Sequence, residues 1–294
     1  MSEIRVNNIT NRDGSTGTTV AGIPVVDSTS HFVVPTGRTV GRYIEDNTIV
    51  TDGLIFYVDA SRQESWDQGN QLGLTTSYWR DLSGNDYNVP VVNAPSYSAD
   101  NGGSLLFDGV NDRLEIPSQL GPLNPDFISF ECWFKYSSSG TQGDTFIGGR
   151  GDTGFIGYWM GTENNNTATP RLQFSVATST SNIARVKVNY TKGVIYHAIG
   201  TYDGSSAYGL KLYLNGSYVS NGFNYSSGST GANQLSGPIR YSTLTNGFVI
   251  GNNNGIDANR FWTGNIYEMR IYNRALTAAE VLQNYNATKS RYGY

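Results

Sequence analysis

Apolar and polar residues alternate with period two over several short stretches of the chain. In FISFECWFKYS (residues 127–137), Ile128, Phe130, Cys132, Phe134 and Tyr136 fall on one side and Ser129, Glu131, Trp133 and Lys135 on the other. That is the pattern of a half-buried antiparallel strand. RLQFSVA (171–177) sets Leu172, Phe174 and Val176 against Arg171, Gln173 and Ser175. ARVKVNY (184–190) sets Val186, Val188 and Tyr190 against Arg185, Lys187 and Asn189, and the two segments read together as a hairpin. GLIFYVDA (53–60) is apolar on both faces as far as Asp59, and further strands are predicted over 194–202, 248–251 and 265–272. LKLYLNGSYV (210–219) carries Leu210, Leu212 and Leu214 in register, then Asn215-Gly216, a hairpin turn whose two residues tolerate positive φ.

Between Leu105/Phe107 and Leu114/Ile116 the alternation breaks at DGVND, so two strands flank a turn built from Asp108, Gly109, Asn111 and Asp112. One helix is predicted. Thr277 and Glu280 form a capping box, and Val281, Leu282 and Tyr285 follow as its apolar stripe. Many short strands with close turn signals and no strand–helix alternation predict an all-β fold: a two-sheet antiparallel jelly-roll sandwich with a short C-terminal helix.

Residues 1–50 read differently. Short β-prone pieces at 4–9, 22–26 and 31–34 are separated by Gly, Thr, Ser and Asp, with few large side chains to bury. We expect an extended N-terminal assembly or anchoring arm that orders against a partner, followed by a globular domain over 51–294.

Composition narrows the function. The 294 residues carry 20 basic and 24 acidic groups, so the net charge is −4 and supplies neither a phosphate-binding nor a membrane-binding surface. No nucleic-acid partner and no membrane insertion are expected. The single cysteine, Cys132, excludes an internal disulfide and reads as a buried small apolar residue. The N-terminus lacks a basic and apolar export signal, and no run approaches the roughly 18 apolar residues of a membrane span.

Six motifs carry a family likeness: DGLIFYVDAS, WRDLSGNDYN, SLLFDGVNDRLEIP, YHAIGTYDGS, LKLYLNGSYV and FWTGNIYEMRIYNRALTAAEVLQNY. In this order and spacing they resemble laminin-G-like domains of the concanavalin-A-like superfamily, the branch similar to pentraxins, over about residues 52–290. IRVNNITNRDGSTGTTV and FVVPTGRTVGR resemble the openings of tailed-bacteriophage fibre and appendage proteins, and YNATKSRYGY is similar to endings of such structural proteins. The resemblance implies a virion component, a tail fibre, appendage or capsid decoration, joined to other virion proteins through the arm; cyclic symmetry would then make it a homotrimer, and the module would decorate a shell, stiffen a fibre or adhere to host glycans. The alternative is a free bacterial carbohydrate-binding, lectin-like protein.

The pentraxin-like branch implies a calcium site. Mapped by motif, its ligands correspond to Asn111 and Asp112 with Asp108 nearby, and to Asn252, Asn253, Asn254 and Asp257 of the loop FVIGNNNGIDANRFWTG. Asn stands where acidic ligands are expected, which lowers the charge offered to the ion. The same oxygens equally serve as caps of tight turns. For carbohydrate, Trp66, Trp79, Trp159 and Trp262 lie in or beside loops, and Trp262, Trp159 and Asn254 are the candidate sugar contacts, with Trp262 the first choice as an exposed platform.

Catalysis has little support. The paired carboxylates of glycosidases at E-x-D-x-x-E spacing are missing, which also weighs against a degenerate glycoside hydrolase. Glu115 and Glu131 read as surface charges on separate strands. Only His31 and His197 offer a general base, no G-x-S-x-G elbow accompanies them, and His197 reads as a structural residue of its strand. No enzymatic activity is expected.

Overall fold

The computed structural model describes residues 19–20, 23–24, 48–67, 78–116, 123–140, 145–152, 156–179, 183–205, 209–219, 223–227, 235–241, 247–252 and 259–294. The chain divides into two units, Met1–Asp46 and Asn47–Tyr294. In the first, β1 (Thr19–Val20) pairs antiparallel with β2 (Ile23–Pro24). The β-prone pieces at 4–9 and 31–34 lie outside the described residues.

The second unit begins with β3 (Leu54–Asp59), β4 (Tyr78–Trp79), β5 (Val89–Asn93), β6 (Ser96–Ser98), β7 (Ser104–Asp108) and β8 (Arg113–Ile116). It continues with β9 (Ile128–Tyr136), β10 (Thr145–Asp152), β11 (Ile156–Glu163), β12 (Arg171–Ala177), β13 (Ile183–Asn189) and β14 (Ile195–Tyr202). The remaining strands are β15 (Leu210–Leu214), β16 (Ser217–Tyr218), β17 (Phe223–Ser227), β18 (Phe248–Ile250) and β19 (Thr263–Tyr272), followed by the helix α1 (Ala278–Thr288).

These strands form the two antiparallel sheets of a jelly-roll sandwich. One has nine strands in the order β17-β13-β12-β11-β10-β18-β8-β5-β4. The other has eight, with β9 on one edge of β19 and both β7 and β3 on the other. The alternation read from the sequence sets the inward faces: Phe130, Cys132 and Phe134 of β9 meet Leu172, Phe174 and Val176 of β12 across one apolar core. The β12–β13 hairpin pairs Arg171 with Asn189 and Ala177 with Ile183, as its pattern predicts. At the tip of β15, Asn215 and Gly216 both take positive φ (48° and 76°), the backbone a two-residue hairpin demands.

A bulge between Ile266 and Glu268 gives β19 one residue more than β9 opposite it. Ile266, Met269 and Ile271 therefore face the core, while Tyr267 joins Trp133 and Tyr292 in a cluster outside it and Glu268 pairs in register with Trp133. α1 begins at the predicted capping box, with the Thr277 hydroxyl accepting from the Glu280 amide and the Glu280 carboxylate accepting from the Thr277 amide. Its buried stripe differs from the predicted one. Val281 and Asn284 are buried, whereas Leu282, about 100° further round the helix, is 47% exposed.

Candidate functional site

Three places gather the polar side chains that the sequence singled out. The first is a corner where strand ends meet. Asp108 closes β7 and Asp112 precedes β8 in a tight turn: Asp108 Oδ1 accepts from the amides of Val110 (2.8 Å) and Asn111 (3.3 Å), and Asp112 Oδ2 accepts from the amide of Asp108 (2.9 Å). Asn93 Nδ2 donates to the Asn111 carbonyl at 2.9 Å. β18 pairs with β8, so Gly251 and the buried Asn252 emerge beside Asp112. Gly251 sits at φ 87°, and a Cβ there would lie 2.5 Å from the Phe107 ring and 3.0 Å from the Asp112 carbonyl, so the approach of the two loops requires glycine. Burial first, opposed by the Asp108 amide, and then the neighbouring Asp108 carboxylate raise the Asp112 pKa above the usual aspartate range. The corner thus joins Asp108, Asn111, Asp112 and Asn252; Asn253, Asn254 and Asp257 lie outside the described residues. Among the described residues no group of three or more His, Cys, Asp or Glu side chains is placed to hold a metal.

The second place is the outer face of the nine-stranded sheet, opposite the core. Trp159 of β11 pairs with Ser175 of β12, which pairs with Arg185 of β13, while Gly161, Gln173 and Lys187 form the next row. Trp159 is 8% exposed, packs on Ala177 and Ile183, and has the Arg185 guanidinium 5.8 Å from its ring centre. Glu163 is bridged by Lys187 (2.7 Å) and Arg171 (3.3 Å). Gln173 Oε1 and Ser175 Oγ are buried on this face without a hydrogen-bond partner. The sequence placed Arg171, Gln173, Ser175, Arg185 and Lys187 on one polar face but did not read them as a site.

Trp262 does not join this face, and its expected exposure is overturned. It is fully buried, edge-on to Phe134 and Tyr136 at 5.7 and 5.2 Å, because its amide bonds the Gly251 carbonyl (2.8 Å) and turns the side chain inward ahead of β19. Trp66 and Trp79 are buried core residues as well.

The third place is closed to solvent. Glu131, expected at the surface, is 1% exposed because α1 and the residues after it cover the outer face of the eight-stranded sheet. Its carboxylate contacts His197 Nε2 (2.9 Å), Arg270 Nη1 (2.5 Å) and Asn284 Nδ2 of α1 (2.7 Å). Arg270 Nη2 also bonds Glu268 (2.8 Å), its guanidinium lies 4.5 Å from the Tyr57 ring centre, and Arg291 bonds Asp59 (2.8 Å). Trp133 stacks on Tyr292 at 3.9 Å and donates to Thr288 (2.9 Å). Despite its burial, Glu131 is held down to about 2 by Arg270, His197 and Asn284, whereas burial pushes Glu268 up to about 7. His197 is buried in this network, consistent with the structural role its strand position predicts. The strand period marked Glu131 as lying off the core but carried no sign that a second layer covers it.

Comparison with known proteins follows from this geometry. Residues 108–282 match the family described as the concanavalin A-like lectin/glucanases superfamily. No curated protein sequence matches the chain. Among solved structures, Trypanosoma rangeli sialidase in complex with sialic acid is similar with a TM-score of 0.53 at 16% identity, over 92% of this chain and 36% of that one. Domain 4 of AbnA, an extracellular arabinanase of Geobacillus stearothermophilus in complex with arabinotriose, is similar with a TM-score of 0.48 at 18% identity, over 80% and 98% of the two chains. The receptor-binding domain of botulinum neurotoxin type G gives 0.46 at 14% identity, over 80% and 51%. The present chain spans about a third of the length of the sialidase chains, and likenesses at these identities bear on the fold alone.

Proposed function

The chain belongs to the concanavalin A-like lectin/glucanases superfamily, and from that premise we propose that its jelly roll is a non-enzymatic carbohydrate-binding module that holds glycan on the outer face of the nine-stranded sheet. The observation that carries this reading is the row around Trp159. Trp159 is only 8% exposed and Gln173 and Ser175 are buried with it, so a sugar would reach the indole and the unmet Gln173 Oε1 and Ser175 Oγ once the Arg185 side chain over the ring swings aside. Arg185, Lys187 and Glu163 frame the row with polar groups. A glycan array probed with the intact protein tests it: bound glycans should be released by Trp159→Ala and weakened by Gln173→Ala, with melting curves recorded for both variants because Trp159 also packs on Ala177 and Ile183. Full retention by both variants would discard the sheet-face site.

A second reading concerns the corner of Asp108, Asp112 and Asn252. The donor set is all hard oxygen, and the Asp112 carboxylate, whose pKa is raised by burial and by the neighbouring Asp108 carboxylate, would be favoured in its ionised form by a cation. Asp108, Asn111, Asp112 and Asn252, joined by Asn253 and Asp257, would hold calcium; melting with and without chelator tests this.

Within the same proposal, the module is a structural protein of a tailed-phage virion, a tail fibre, appendage or capsid decoration. Residues 1–50 would attach it to other virion proteins as a homotrimer and present the sheet face to host glycans. The support is the likeness of IRVNNITNRDGSTGTTV and YNATKSRYGY to such proteins. A free lectin-like protein is the competing reading, and the mass measurement described in the Discussion separates the two.

A further inference from the structure

The chain after β19 forms a strap across the outer face of the eight-stranded sheet, made of α1 and the 3₁₀ turn Lys289–Tyr292 that follows it. Register lays the seat beneath it in two rows: His197, Trp133, Glu268 and Asp59 in one, Ile199, Glu131, Arg270 and Tyr57 in the next. Val281 shares a buried cluster with Ile199, Tyr213 and Tyr272. Asn284 accepts from the Val50 amide (2.8 Å) while donating to Glu131 and to the Tyr272 hydroxyl (2.9 Å). Arg291 reaches Asp59 and the carbonyls of Asn101 and Gly103 (both 2.6 Å), and Tyr292 covers Trp133 and meets Tyr267 edge to face at 5.2 Å. The strap gives no strand to either sheet, so lifting it breaks none of their ladders.

Among the described residues, the seat is short of positive charge. Asp59, Glu131 and Glu268 are all buried in it. The sheet supplies one guanidinium, Arg270, and the strap supplies a second, Arg291. Lys289 is turned to the Tyr285 ring (5.4 Å) instead, and Arg274 closes on Glu280 and Asp52 at the start of the strap. His197 Nε2 lies against Glu131, and Tyr57 and Tyr292 stay neutral because burial pushes both hydroxyls up. Glu268 is the least provided for: its Oε2 takes Arg270 and lies 3.9 Å from Arg291, while its Oε1, like the Tyr292 hydroxyl, is buried with no partner. A buried carboxylate with one oxygen unmet costs least as the neutral acid. Burial first, then the Asp59 and Glu131 charges, outweigh Arg270 and Arg291 and raise its pKa to about 7.

We propose that residues 277–294 are a pH-operated latch: they stay seated while Glu268 carries a proton and lift off the intact sandwich once it is ionised, uncovering Trp133, Tyr267 and the carboxylates of the seat. Lifting puts Glu268 in water, where the ordinary value of 4.5 applies. Because the seated value is the higher, the hold is complete below pH 4.5, weakens as pH rises from there to about 7, and changes no further above it. A terminal element that belongs to no sheet ladder opens at lower cost than the whole domain, so the charge penalty is relieved there first.

Hydrogen exchange of the full chain at pH 5 and pH 8 tests it, with each amide's rate divided by that of an unstructured chain at the same pH. Protection of the α1 amides should fall about fiftyfold between the two, and at pH 8 should sit about tenfold or more below that of the β12 amides inside the sandwich. Glu268→Gln should hold α1 protection level across the range. The proposal is overturned if α1 protection does not change with pH, if α1 and β12 amides are equally protected at pH 8, or if Glu268→Gln keeps the fall, which would put the proton on another group of the seat such as His197. The first two outcomes are read on the unaltered protein, so a variant that fails to fold leaves the test decisive.

Discussion

Glu268 is the surplus charge of the network beneath α1. Among the described residues, Asp59, Glu131 and Glu268 face only Arg270 and Arg291 as permanent cations, with His197, Tyr57 and Tyr292 beside them, so a proton on Glu268 balances the set. Its folded pKa of about 7 lies above the ordinary carboxylate value of 4.5, so the stability linked to that proton is complete below pH 4.5 and is lost as pH rises toward 7. Glu131 has the opposite sign: held near 2, it contributes above pH 4.5 and loses that contribution as pH falls toward 2. Glu268→Gln, which carries no such proton, should therefore be more stable than the parent at pH 8, by on the order of 2 kcal/mol, and equal to it near pH 5. Urea unfolding at the two pH values checks this; an equal offset at both would remove the charge argument. None of this was legible at residues 131 and 268, because strand alternation separates core from not-core and is silent about a second covering layer. Trp262 shows the converse limit, since an aromatic next to a polar loop reads as exposed until the Gly251 hydrogen bond that turns it inward is known.

At the scale of elements the sequence was most informative. Period-two alternation located β9, β12, β13 and β15, the Asn215-Gly216 pair located a turn, and Thr277/Glu280 located the start of α1, because each signal is local and backbone-determined. Pairings distant in sequence, such as β10 with β18 or β19 with both β7 and β3, leave no such local mark. The DGVND turn sits between these cases. Its Asx hydrogen bonds were foreseen as one of two readings, and only the β18–β8 pairing brings Asn252 alongside it. If that junction of strand ends takes calcium, ion at 100 times its dissociation constant should stabilise the domain by about 2.7 kcal/mol over the chelated form. Calorimetric melting with and without chelator reads the difference, and superimposable curves would leave the turn as a turn only.

For the whole molecule, the sandwich was readable from strand count and turn spacing, and the outer face of the nine-stranded sheet was half readable: its residues were identified as polar partners of a hairpin, but their unmet hydrogen bonds appear only once neighbouring strands are in place. The assembly role assigned to residues 1–50 predicts a homotrimer of the full chain that becomes a monomer when the chain starts at Asp52. Light scattering on both decides, and one monomeric mass for the two would favour the free lectin-like protein. One arrangement also governs how the domain comes into being. β19, near the far end of the chain, is the strand that β9, β7 and β3 all need as a neighbour. During translation those three earlier strands keep their β19-facing edges unpaired until Thr263–Tyr272 leaves the ribosome, although β14 and β6 can already cover the far edges of β9 and β7.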